Sequence, residues 1–231
     1  RPVRPAGLQQ KPFAYPSDPV AAGTVARQER VEDLDLLTVA FSNGVLLNVK
    51  KTDFKEQQIL VSARVGEGLL AFVGDDLITL GVAMNGLDGA GLDAHPEEEI
   101  RRLFAGRRVG LSAEVDADHF TLSGDTTPQD LLAQFELLAA RLQHPGWREE
   151  GLQPFLKQLP LIQQFLKSSH LGPLLTDFLP EFLHNDYRIE VFDGLSALPP
   201  IEKMQTVRMA DATPLLGPQL AMGALELTVV G

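Results

Sequence analysis

Hydrophobic and polar residues alternate most regularly over Gln57–Gly66, where Ile59, Val61, Ala63 and Val65 fall on one face and Leu60, Ser62 and Arg64 on the other. A period of two predicts a strand with one face on a core. Just upstream, the extended runs Thr38–Phe41 and Val45–Lys51 flank Ser42-Asn43-Gly44. Asn-Gly between apolar runs predicts a hairpin, because both residues tolerate the positive φ of a tight turn. Residues 107–125 predict a second hairpin: Val109, Leu111, Ala113 and Val115 alternate with polar partners, and Phe120 and Leu122 resume the pattern after Asp116-Ala117-Asp118. Leu225–Val230 reads as a sixth strand, expected to pair back into the sheet built by the first five.

Between the strands the period lengthens. Pro128–Gln143 carries Leu131, Leu132, Phe135, Leu138, Ala139 and Leu142 as one helical stripe, with Thr127 as cap, Pro128 at the first position, and His144-Pro145-Gly146-Trp147 as the break. Asp75 and Asp76 suit a helix start, Leu77, Leu80, Val82 and Met84 form its buried face, and Gly86, Gly89 and Gly91 end it. Pro96 followed by Glu97, Glu98 and Glu99 predicts another helix start, closed by Arg101, Arg102 and Gly106. Residues 149–167 and 173–186 predict two more helices, kinked or shortened by Pro154, Pro160 and Pro180. Residues 187–223 are loop-rich, with helical pieces at Pro199–Gln205 and Met209–Leu220. Strands, two helices, two strands, several helices and a strand make a two-layer α+β domain with a largely antiparallel sheet covered by helices.

Residues 1–30 contain five prolines and no apolar periodicity, and read as a linker or hinge in which Phe13 and Tyr15 offer anchors for docking onto a surface. Residues 31–231 then form a single domain. The chain opens at Arg1 without a signal-like segment and stops at Gly231 directly after a strand-like run, so both ends read as cuts within a longer polypeptide.

Composition narrows the chemistry more than it identifies it. With 231 residues and 44% hydrophobic content, the chain can bury a sizeable core. A formal net charge of −11 argues against a nucleic-acid partner. The absence of cysteine excludes disulfides, thiolate zinc sites and a Cys nucleophile, and leaves both a periplasmic and a cytoplasmic location open. No apolar run reaches the ~18 residues of a membrane span.

Four features invite a chemical reading. The glycines at 86, 89 and 91 match no phosphate-binding pattern. The glutamates at 97–99 read as a solvated face matched to the helix dipole rather than a metal site. Asp118 and His119 are adjacent, so in a strand they point to opposite faces, and turn chemistry is their default role. The five histidines, at 95, 119, 144, 170 and 184, include no i, i+4 pair.

Several phrases, in order, resemble a half-repeat of the insulinase/pitrilysin metallopeptidase family. They are Ser42-Asn43-Gly44-Val45 running into Lys50-Lys51-Thr52-Asp53-Phe54; Ile59–Val65 ending at Gly66-Glu67-Gly68; Leu103-Phe104-Ala105-Gly106; Ser123-Gly124-Asp125-Thr126-Thr127-Pro128 leading to His144-Pro145; and Leu225–Gly231. Together they cover most of residues 30–231. In that family the catalytic half carries H-x-x-E-H on the first helix after the third strand, with two His on zinc, the Glu as general base and a downstream Glu completing the ligands. The corresponding window here, Leu69–Gly91, contains neither His nor Glu; its acids are Asp75, Asp76 and Asp88. His95 is followed by Pro-Glu-Glu-Glu, and Glu149 and Glu150, near the place of the downstream ligand, have no His partners. No catalytic, metal or cofactor-binding residue is carried over. The resemblance implies the opening domain of a degenerate half in a long bacterial-type member. Its partners would be the catalytic half of the same polypeptide and a peptide substrate, and zinc would reside in that other half. An inactive interaction or assembly subunit is the alternative. Of Leu46, Leu60 and Leu122, the pattern leaves open which would line a peptide chamber.

Overall fold

The structure, a computed structural model, describes residues 12–15, 23–188, 190–192, 195–221 and 225–231. The Asn-Gly hairpin forms between β2 (Leu36–Phe41) and β3 (Leu46–Lys50). Only Gly44 takes positive φ, at 89°; Asn43 instead uses its side chain, whose Oδ1 accepts from the Val45 N–H at 3.2 Å. The turn is therefore closed by one left-handed glycine and one side-chain bond, where the sequence pointed to two left-handed residues.

β1 (Val25–Val31) pairs antiparallel with β2. This corrects the linker boundary: the sheet begins inside the stretch assigned to residues 1–30. All seven β1 residues are exposed, so the strand presents none of the alternation that marks the others. Most of the Pro-rich linker or hinge expected over residues 1–30, namely 1–11 and 16–22, lies outside the described residues.

β4 (Ile59–Val65), β5 (Ser112–Val115) and β6 (Phe120–Thr126) complete the predicted strands of the first part of the chain. β9 (Glu226–Val230) returns to the sheet, parallel to β3 on one side and antiparallel to β4 on the other. The seven-stranded order is β1-β2-β3-β9-β4-β6-β5, so the sheet is antiparallel except at β3–β9. A two-stranded ribbon, β7 (Glu190–Phe192) with β8 (Leu195–Ser196), stands apart.

The helices are α1 (Asp75–Leu87), α2 (Glu97–Leu103), α3 (Leu131–Gln143), α4 (Glu149–Ser168), α5 (Leu179–Phe182), α6 (Ile201–Thr206) and α7 (Met209–Leu220). α3 begins three residues after Pro128, because Thr127 and Asp130 first close a turn with a 3.0 Å backbone bond. α4 runs through both of its prolines. Leu152, Leu159 and Leu166 recur every seven residues and are buried, so tertiary packing outweighs the lost backbone donors. The helix expected at 173–186 runs over 172–182, with a π-type turn at Leu174–Phe178 leading directly into α5. Pro180 has no N–H to continue the ladder, and His184 and Asn185 close the segment at φ of 53° and 60°.

The main core lies between the sheet and α1, α4 and α7, around Leu80, Phe120, Leu152, Leu159, Met209 and Leu216. α1 and α4 touch through glycines. A Cβ on Gly151 would stand 2.4 Å from the Ala90 nitrogen, and one on Gly86 would stand 2.9 Å from Leu152. Of the glycines at 86, 89 and 91, the first two thus serve helix packing, and Gly91 turns the chain at positive φ against His95 and Glu97.

Candidate functional site

α1 is the first helix after β4, the place where the family resemblance puts a zinc motif. Its inward residues Leu77, Ile78, Leu80, Val82, Ala83 and Leu87 are buried and apolar. Its acids sit at opposite ends. Asp75 and Asp76 are in the exposed first turn, where Lys203 Nζ donates to Asp75 Oδ1 at 2.6 Å. Asp88 is just past the other end, about 20 Å away at 1.5 Å per residue. There its Oδ1 accepts the Ala113 N–H of β5 at 2.9 Å. Asp88 keeps part of its surface exposed, yet the protein packed around its carboxyl raises its pKa against the opposing pull of Arg141. A hydrophobic helix face with carboxylates at its two tips does not supply the clustered His and Glu donors that zinc takes. Among the described residues, no three His, Asp or Glu side chains gather as a metal site.

The sheet itself offers the broader candidate. On the face turned away from the main core, register aligns Thr38, Asn48, Thr228, Ser62, Ser123 and Ser112 in one row across six strands. Thr38 Oγ1 donates to Asn48 Oδ1 at 2.9 Å, and Asn48 Nδ2 donates to Glu226 Oε1 at 2.7 Å. A neighbouring row carries Arg27, Leu46, Glu226, Arg64, Thr121 and Glu114. The result is a wide polar surface with hydrogen-bonding groups, charges of both signs and a few apolar side chains. Leu46 and Leu60 lie on it; Leu122 is buried on the opposite face at 1% exposure. This settles which of the three leucines faces outward. Sequence reasoning named Ser62 and Arg64 as one face of a strand but did not align them with Asn48 or Thr228, since that register depends on where β9 inserts.

At one end of this face a cleft of about 340 Å³ is lined by Gly44, Leu46, Arg64, Gly66, Asp118, His119 and Glu226, among others. His119 is held on both ring nitrogens: Nδ1 lies 2.7 Å from Asp118 Oδ1 and Nε2 lies 3.0 Å from Asp116 Oδ2. The hydrogen bond from His119 holds the Asp118 carboxyl below its ordinary pKa. The two side chains, which a strand would set on opposite faces, meet instead in the turn between β5 and β6 and line one cleft.

The glutamates of α2 are also engaged structurally. Glu97 pairs with Arg101 at 3.0 Å and with the buried Arg141 at 3.3 Å. Arg141 Nη1 donates to the carbonyls of Leu87 and Gly91 at 3.2 and 2.8 Å, tying the end of α1 to α2 and α3. Near them, Phe13 and Tyr15 pack against His95, Phe104 and His144. The docking role raised for these two aromatics is thus realised. Glu149 contacts the start of α7, where the Ala210 N–H donates to its Oε1 at 3.4 Å.

No protein-family model matches the chain, and no curated protein matches it. Solved structures share its fold. The periplasmic protease PqqL from Escherichia coli superposes over 100% of this chain and 25% of its own length, with a TM-score of 0.76 and 16% identity. The ferredoxin protease FusC, solved in complex with Arabidopsis ferredoxin, superposes over 99% of this chain and 25% of its own, with a TM-score of 0.70 and 15% identity. The first half of PqqL alone gives a TM-score of 0.60 at 13% identity, covering 89% of this chain and 44% of that half. The chain thus spans about a quarter of PqqL and of FusC. Its fold is that of the repeated domains of insulinase/pitrilysin-type peptidases.

Proposed function

We propose that this chain is a non-catalytic domain of an insulinase-like zinc metallopeptidase, in which the polar sheet face forms part of the wall of a peptide-enclosing chamber. The carrying observation is α1: the helix equivalent to the family's zinc helix presents a buried leucine, isoleucine and valine face, with carboxylates only at its tips. The better fit to whole PqqL than to its first half supports a place in the other half of such a protein. In this reading zinc and the general base belong to the catalytic half of the parent polypeptide, and the residues ahead of β1 contribute the hinge between the halves. The sheet face supplies donors and acceptors to an extended peptide backbone, and Arg64 and Lys50 offset the acids around them.

The test is zinc content and peptide cleavage by the purified chain. No bound zinc and no cleavage are expected, while Arg64→Glu in the zinc-loaded parent raises KM for peptides. One zinc per chain together with cleavage would overturn the reading. The alternative, an inactive assembly subunit, draws on the exposed apolar side chains Leu161 and Phe165 of α4 and the stacked, exposed Phe178 and Phe182. In that case the parent lacks peptidase activity and Phe165→Ser releases a co-purifying subunit.

A further inference from the structure

Residues 13–15 meet the domain through a small set of directed contacts. The Phe13 ring stacks on His95 with 5.7 Å between centroids and meets Phe104 edge-on at 5.3 Å. Tyr15 stacks on His144 at 4.8 Å. The Tyr15 hydroxyl donates to Asp93 Oδ1 and accepts the Ala94 N–H at 3.2 Å. Between the two aromatics, the Ala14 N–H donates to His95 Nε2 at 3.0 Å. His95 is 1% exposed.

That last bond constrains the proton. Nε2 accepts only through its lone pair, so the ring is neutral and carries its hydrogen on Nδ1. Nδ1 has no hydrogen-bond partner among the described residues and stands 3.4 Å from Glu99 Oε2. A second proton would sit on Nε2, facing the Ala14 N–H donor to donor in a buried space. We propose that Phe13–Tyr15 is a proton-gated latch, closed over neutral His95 and released when His95 is protonated.

The surrounding charges fit this assignment. Glu99 of α2 is placed to pair with the imidazolium once the strap lifts and water enters, and Asp93 on the same loop adds a second negative charge. Opposing them, Arg148 grips the carbonyls of Ala90, Leu92 and Asp93. Arg141 is matched by Glu97. His144, at the end of α3, lies with Nδ1 3.2 Å from Asp93 Oδ2. The Tyr15 hydroxyl is pushed up from its ordinary pKa by burial and does not titrate near neutrality. Because the open state binds one more proton than the closed state, closure weakens as pH falls, by up to about tenfold per pH unit. If the residues ahead of β1 link two halves, as proposed above, the latch sets where that link leaves this domain; the latch itself does not depend on that reading.

The test is amide exchange of Ala14 in the full chain between about pH 5 and pH 8, corrected for intrinsic rates. Protection that falls on acidification, with His95 as the Nδ1–H tautomer by imidazole ¹⁵N shifts at high pH, is expected. His95→Gln keeps an acceptor without a titrating ring and gives flat protection, while His144→Gln keeps the acid-induced step. Glu99→Gln removes the carboxylate that favours the released imidazolium and moves the step to lower pH, which decides the matter even if His95→Gln does not fold. A pH-independent Ala14 amide, a step that survives His95→Gln or vanishes in His144→Gln, or an unmoved midpoint in Glu99→Gln would each overturn the proposal.

Discussion

The two faces of the seven-stranded sheet are built from the same strands and answer to different demands. One face carries Val61, Ala63, Val65, Phe120 and Leu122, all buried under helices. The other carries Leu60, Ser62, Arg64, Thr121 and Ser123 on the same two strands, and stays open. From Val61 to Val65 of β4 the residue type flips at every position, so the covered face specifies the fold and the open face is free to specify contacts. Removing a side chain from the first should be felt as stability; under the proposed function, removing one from the second should be felt as binding.

The largest break of this contrast comes from Phe120→Ala, which should cost about 3–5 kcal/mol in urea unfolding, because it opens a cavity at a position only 1% exposed. A loss below about 1 kcal/mol would mean that the helices do not hold that face closed. The rim between the faces gives a smaller effect. Burial raises the Asp88 pKa, so the folded state binds a proton more readily than the unfolded one and stability falls as pH rises past the ordinary carboxylate range. Asp88→Asn, which can still accept from the Ala113 N–H, should therefore raise the melting temperature at neutral pH, with the gain vanishing below about pH 4. The smallest effect is expected on the open face: Leu60→Ala should shift stability by no more than about 0.5 kcal/mol while weakening peptide retention by the parent. A large stability loss there would show that another part of the protein covers this face.

The legible parts of the sequence were those whose signal is local. β4 announced itself by alternation, and Met209–Leu220 was recovered as α7 with the bounds read from the chain. The contents of the α1 window also needed no structure. β1 was hidden because an edge strand with every residue exposed carries no hydrophobic period. The helix expected at 173–186 ends four residues early, because His184 and Asn185 turn left-handed, which the spacing of Phe178 and Phe182 could not reveal. The polar row was invisible because it exists only once β9 sits between β3 and β4. The partners of Phe13 and Tyr15 were equally out of reach, since His95 and His144 meet only after α2 and α3 pack together.

The insertion of β9 has a kinetic consequence. Without it, the sheet is two separate pieces, β1-β2-β3 and β4-β6-β5, each with an unpaired edge where the other should be. The bond between Asn48 and Glu226 spans 178 residues of chain, so the ordering entropy of nearly the whole domain comes due before these central contacts return anything. During synthesis both pieces wait with β3 and β4 unsatisfied until residues 226–230 have left the ribosome. Chains cut before Glu226 should fail as aggregates of these two bare edges, not as a slightly smaller domain.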